Sequence, residues 1–420
     1  MARWRHFPTS IARLHDVSRT VPGILRDAIG AGPLYGQNPG MNLRLPTWFA
    51  ERVAPVPDHE QLRVSTLELF FDLVFVFTAT QLTVVLAADF GSAPQVLLMF
   101  GVIWWMFASY AWVTNAVPPV RAARRLFMLL AMAGWLIVAL AVPGAFREDG
   151  AGFAVGMLVV VVVHGLMYLQ STWRFLRMFA TNLGGALLIL AAAGFSGAPK
   201  YGLWLAALLV MWASPYVTGQ EGFPLHPGHV AERHGLVVII ALGESIVAVA
   251  IGIEGNGRLS VPAIGTALVG LALSAGLWWA YFHIDLERAE HALTQVTDQV
   301  RRTRMVLFGF FYAHVPILLG IIALSAGLKK AVAHPGDPLT GGAQLALTGG
   351  VALFLLGSVA FRAALGLPGR ALRTAAALLV LATMPVGLVN AAIQLVLMVA
   401  LISVTLAFEE RARSRRVARV

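Results

Sequence analysis

Between residues 63 and 408 the chain consists largely of apolar runs separated by short polar breaks. Many of these runs reach the ~18 residues at which a helix becomes long enough to cross a bilayer. At ~1.5 Å rise per residue, a helix of about 20 residues spans the ~30 Å hydrocarbon core. Charged residues make up 12% of the chain and hydrophobic ones 58%, against roughly 25% charged in soluble domains. A soluble core could not enclose that much apolar surface. The fold class expected is all-α, a polytopic transmembrane helical bundle in a lipid bilayer.

Hydropathy places about twelve spans. Six lie in the first half: Thr66–Ala88, Pro94–Ala116, Leu126–Val142, Phe153–Leu169, Met178–Ala193 and Tyr201–Pro215. Six follow in the second: His234–Ile253, Val261–His283, Met305–Leu328, Gly342–Phe361, Leu372–Leu388 and Asn390–Phe408. With the N-terminus inside, 26 of the 31 Lys and Arg residues fall on the cytoplasmic side, as the positive-inside rule demands. The expectation is a multi-pass cell-membrane protein with both termini cytoplasmic. That bias also explains the formal charge of +10 without nucleic acid. Residues 1–62 read as a polar cytoplasmic tail, with a candidate amphipathic segment at Ile11–Leu25, and residues 409–420 as a basic one. No cysteine is present, which excludes disulfides, thiolate nucleophiles and Cys-ligated metals.

Features recur in one order. Glu68 and Glu232 stand at the mouths of the first and seventh spans. Trp104-Trp105 with Tyr110 is matched by Trp278-Trp279 with Tyr281. Arginine clusters at Arg121–Arg125 and Arg301–Arg304 precede the third and ninth spans, and Arg174 and Arg362 close the fourth and tenth. This predicts two parallel six-helix repeats, residues 63–217 and 218–408, of a kind known in transporters.

Ionisable residues inside such spans are costly and default to a functional reading. Glu68 also has a structural explanation: Ser65 and Glu68 form the S-x-x-E pattern of a capping box. Asp72 lies one turn deeper on the same face, where a cap cannot reach. Glu244, beside Gly243 and Ser245, falls near the midplane of the seventh span. His314 falls at a similar depth in the ninth span, and His164 at the depth of Asp72. Glu232 stands with His234 at the cytoplasmic mouth. Asp72, Glu244, His314, His164, Glu68 and Glu232 are therefore the candidate ion or substrate pathway. Carboxylates and imidazoles could bind a divalent cation, but no H-x-x-x-H or H-E-x-x-H spacing supports a metal, and no cofactor motif occurs.

RVSTLELFFDLVFVF at Arg63–Phe77 and ERHGLVVIIALGESI at Glu232–Ile246 resemble the two signatures of the bacterial low temperature requirement A family of membrane proteins. WWAYF (Trp278–Phe282) and YAHVPILLGII (Tyr312–Ile322) add to the likeness. The family often carries an acid after Trp-Trp-x-Tyr-Phe, where this chain has His283. The resemblance implies a multi-pass inner-membrane protein and supplies neither reaction nor solute. The function expected from the buried ionisable groups is a proton-coupled secondary transporter of a small solute. A channel, a structural or sensory membrane protein, and an intramembrane lipid-modifying enzyme are the alternatives.

Overall fold

The computed structural model describes residues 63–169, 176–218, 225–255 and 260–417. The N-terminal tail with its Ile11–Leu25 segment, and Arg174, lie outside the described residues. All described residues belong to one unit, Pro46–Val420, and no strand occurs among them.

The first half contains α1 (Thr66–Ala88), α2 (Ala93–Ala116), α3 (Ala122–Ala141), α4 (Gly150–Leu169), α5 (Leu176–Ala192) and α6 (Ala198–Trp212). Then come α7 (Pro227–Gly255) and α8 (Val261–Tyr281), which runs through a π-helical turn (Phe282–Leu286) into Glu287–Thr294. α9 (Gln299–Ala333) is interrupted by a second π-helical stretch at Leu307–Tyr312. α10 (Gly341–Ala364), α11 (Arg370–Gly387) and α12 (Ala391–Val417) complete the bundle. Each expected span coincides with one of these helices. Ten are long and apolar enough to cross a membrane, against the twelve expected. α5 and α6, at 17 and 15 residues, fall short of that length.

Local chemistry sets the ends. The capping box at α1 is present, with Glu68 N–H donating to Ser65 Oγ at 3.3 Å and Ser65 N–H to Glu68 Oε2 at 3.0 Å. At the other end Asp89 leaves the helical conformation and accepts from Gly91 N–H at 2.8 Å. Along α1, Phe71, Phe75, Ala79, Leu82 and Leu86 point inward, while Phe70, Leu73, Phe77 and Val84 point outward. Outward apolar rows recur on most helices, far beyond the patches that soluble monomers expose. They suit contact with lipid.

The tryptophan pairs part company. α2 is the most enclosed helix, with 89% of its most apolar stretch buried, against 33% for α8. Trp104 and Trp105 are core residues whose indole N–H groups donate to Phe311 O (2.7 Å) and Asn182 Oδ1 (3.1 Å). Trp278 and Trp279 are 38% and 47% exposed, on the outer face.

Glycines bring two helix pairs into backbone contact, as small residues do in membranes. Between α3 and α4, a Cβ on Gly156 would lie 2.9 Å from Gly134 O. Between α9 and α10, a Cβ on Gly320 would lie 2.6 Å from Gly350 O, and one on Gly327 2.5 Å from Leu347 N.

Candidate functional site

The α1–α7 crossing buries a cluster of ionisable side chains. Glu68 and Asp72, four residues apart, project from one face of α1. α7 supplies His229 and Arg233, also four apart. All four are at most 1% exposed. Arg233 Nη1 donates to Glu68 Oε1 at 2.8 Å. Its Nη2 and Nε both donate to Asp72 Oδ1, at 3.0 and 3.3 Å. Nη1 also donates to Thr114 Oγ1 on α2. The guanidinium carbon stands 5.7 Å from the Phe71 ring centroid and 5.6 Å from that of Phe107, within cation–π range.

The tautomer of His229 follows from a backbone group. His226 N–H can only donate, and its acceptor at 3.1 Å is Asn115 Oδ1. Asn115 Nδ2 is therefore the amide nitrogen, and it donates to His226 O (3.0 Å) and to His229 Nδ1 (3.2 Å). With Nδ1 accepting, the ring proton sits on Nε2, which donates to Glu68 Oε1 at 3.1 Å. A neutral His229 leaves two carboxyl groups facing one guanidinium. Asp72 Oδ2 is buried and has no hydrogen-bond partner. The site is short of one positive charge or one donor, and Asp72 Oδ2 is where it is missing.

A second cluster makes the contrast. Asp285, in the π-helical turn after α8, accepts from Arg362 Nε at 2.9 Å and Arg373 Nη1 at 3.0 Å. Glu409 of α12 takes both Arg362 Nη1 (2.6 Å) and Nη2 (3.0 Å), and Arg373 Nε (3.0 Å) and Nη2 (3.1 Å). Two acids meet two arginines, and every carboxylate oxygen is bonded. This tetrad ties α10, α11 and α12 to the end of α8. Asp285 stands two residues beyond exposed His283.

The other expected residues lie apart from the cluster. Glu244 accepts from Thr80 Oγ1 at 2.7 Å. His314 is enclosed by Trp104, His234, Phe310, Tyr281 and Phe361. Its Nδ1–H donates to Gly309 O at 3.0 Å, so Nε2 accepts the Tyr281 hydroxyl at 2.7 Å. His164 packs against Tyr110 and Tyr168. Glu232 is a surface residue that accepts Val64 N–H at 3.1 Å. A pocket of about 380 Å³ opens at the far end of α1, lined by Val85, Asp89, Gln95, Phe146 and Arg147 among others. None of the six expected residues lines it.

Several arginines counted as loop charges are buried inside the bundle. Arg233, Arg362 and Arg373 are 0–1% exposed. Arg124, likewise buried, donates to Val113 O at 3.3 Å and Met167 O at 3.4 Å. α7 begins at Pro227, two turns before the expected His234, and so carries Arg233 into the bundle. The signal available in sequence was Asp72 itself, because a carboxylate in an apolar run calls for a cation.

Long apolar helices, lipid-suited outer faces and charges buried in hydrogen-bonded clusters define a polytopic integral membrane protein. The chain belongs to the bacterial low temperature requirement A family, whose description matches residues 63–408. It is 32% identical over 298 residues to an uncharacterized protein of Rhizobium meliloti (strain 1021), covering 66% of this chain and 71% of that relative. No solved structure matches it.

Proposed function

We propose that the protein is a secondary transporter of a small solute, coupled to protons, with Asp72 as the coupling site. The observation that carries this reading is the unbonded Oδ2 of Asp72 in a cluster of two carboxyls and one guanidinium. A proton, a cation or a polar group of a solute completes the site, and its arrival or departure changes how Arg233 is shared between α1 and α7. Groups of this kind inside membranes mark ion and proton pathways. Glu68, itself bonded by His229, holds Arg233 in place, and Glu232 stands at the cytoplasmic entry. Glu244, His314 and His164 are the remaining ionisable groups of the path.

In this reading α5 and α6 are the two spans that bring the total to twelve, and the chain is two parallel six-helix halves with both termini cytoplasmic. Corresponding helices pack alike in the two halves. α1 meets α3 as α7 meets α9, α2 meets α6 as α8 meets α12, and α3 meets α4 as α9 meets α10. The cluster joins the first helix of each half, and the interface between repeats is where sites lie in repeat-built transporters.

The test is reconstitution in proteoliposomes with a trapped pH-sensitive dye and an imposed pH gradient, screened against small solutes. The expected result is solute-dependent proton flux that saturates and is lost in Asp72→Asn. No flux with any solute, or full flux in Asp72→Asn, overturns the reading. Flux that grows linearly with driving force points to a channel.

A further inference from the structure

Glu244 lies outside the charge cluster, on the same helix as Arg233 and roughly 16 Å further along it. Glu68, Asp72, Asp285 and Glu409 each face an arginine. Glu244 makes no ion pair among the described residues. Lys329 of α9 is the charged group whose field reaches it. Its polar contact is with Thr80 of α1, and that contact poses a counting problem.

Thr80 Oγ1 lies 2.7 Å from Glu244 Oε2 and 3.3 Å from the Val76 carbonyl, one turn back on α1. A threonine hydroxyl has one proton, so it makes one full-strength bond or divides it between two acceptors. If Glu244 is ionised, the proton goes to the shorter contact, with Oε2, and the 3.3 Å contact with Val76 O keeps only a share of it. If Glu244 is a carboxylic acid, its Oε2–H donates to Thr80 Oγ1, and the threonine proton goes to Val76 O. Both distances then belong to hydrogen bonds, and no charge is left in apolar surroundings.

Glu244, 8% exposed, and half-buried Thr80 lie just beneath the outer surface of the bundle. Thr80 lies on the α1 row with Phe77 and Val84, which are 38% and 42% exposed; Glu244 lies on the α7 row with Val247, 47% exposed. Beside it, a Cβ on Gly243 would meet nothing within 4 Å. The exposed side chains nearby, Phe77, Val84, Ile246 and Val247, are apolar.

We infer that Glu244 is a proton-binding site, held as a neutral carboxylic acid by Thr80 and reached from the bilayer. This goes beyond the transport reading, since the site would exist in a protein that moves nothing. A failed transport assay and a failed labelling assay are therefore separate results.

The test is labelling of the wild-type protein in liposomes with dicyclohexylcarbodiimide, a hydrophobic reagent that requires a protonated carboxyl. The carboxyl proton passes to one carbodiimide nitrogen and the carboxylate oxygen bonds to the central carbon. The adduct then rearranges to a stable N-acylurea with no atom lost. Peptide mass spectrometry should find the adduct on Glu244, diminishing as pH rises, and none on Asp72. A water-soluble carbodiimide should label exposed Glu410 and leave Glu244 unmodified. Infrared difference spectra of wild type against Glu244→Gln should show a carboxylic C=O band lost in the variant. An unlabelled Glu244, equal labelling by both reagents, or a carboxylate band in place of the carboxylic one overturns the inference.

Discussion

Replacing Asp72 and Asp285 by asparagine should have unequal consequences for stability, although both acids are buried and bonded to arginine. In the tetrad, Asp285→Asn removes one of two charges that balance Arg362 and Arg373. It also turns one accepting oxygen, 2.9 or 3.0 Å from a guanidinium nitrogen, into an amide donor facing a donor. Breaking a buried ion pair in this way costs about 3–5 kcal/mol. In the α1–α7 cluster, Asp72→Asn keeps the Oδ1 that accepts both Arg233 bonds and replaces an oxygen that has no partner. The substitution weakens two charge-assisted bonds and leaves an amide donor unpaired, at about 1–3 kcal/mol. It also removes the surplus negative charge, which offsets that cost. The net change should be within about 1 kcal/mol of wild type, some 2–4 kcal/mol milder than Asp285→Asn. Reversible unfolding in mixed micelles by sodium dodecyl sulfate, followed through the fluorescence of the 11 tryptophans, gives both free energies. Equal destabilisation of the two variants would refute the charge count at Asp72. A harmless Asp285→Asn would refute the structural role of the tetrad.

Three further outcomes are expected in the same unfolding assay. Gly350→Ala places a Cβ 2.7 Å from Gly320 O and 2.9 Å from Leu324 Cα, so α9 and α10 must separate at a cost of about 1–3 kcal/mol. Gly349→Ala, whose nearest neighbour is Leu345 Cδ1 at 3.7 Å, should change stability by about 0.5 kcal/mol or less. Tyr281→Phe removes the 2.7 Å bond to His314 Nε2 and leaves a buried acceptor unpaired, which costs about 1–3 kcal/mol.

What could be read from the sequence was what depends on neighbours along the chain. α1 runs from Thr66 to Ala88 as expected, because its capping box, apolar run and terminating Asp89 are all local signals. Glu68 was legible as a cap and Asp72 as an acid that a cap could not explain. The partner of both was not legible, since Arg233 is some 160 residues away and stands in an E-R-H run that looks like a loop. Arg362 and Arg373 were hidden in the same way: in isolation each reads as a basic loop residue, and only the fold sets Asp285 and Glu409 against them. The extension of α9 to Gln299 escaped hydropathy because its first turns, QVRRTR, are polar. The two π-helical stretches have no sequence signal here, yet they flank Tyr281 and His314 and set the hydrogen bond between them.

The tryptophan pairs show what a matched sequence feature can and cannot carry. Trp104 and Trp278 occupy corresponding places in the proposed halves, but the first is enclosed and the second lies on the outer face. If the halves share an origin, their second helices have exchanged environments: α2 became the core of the molecule and α8 part of its boundary. The first helices did not diverge in this way. α1 and α7 still meet each other, and their seam holds both Asp72 with Arg233 and, about 12 Å further along α1, Thr80 with Glu244. In the readings proposed above, one acid on this seam is short of a proton or cation, and the other shares a proton with Thr80. Two such sites on one helix pair, unlike the closed tetrad, would be the part of this molecule whose charge changes without dismantling its fold.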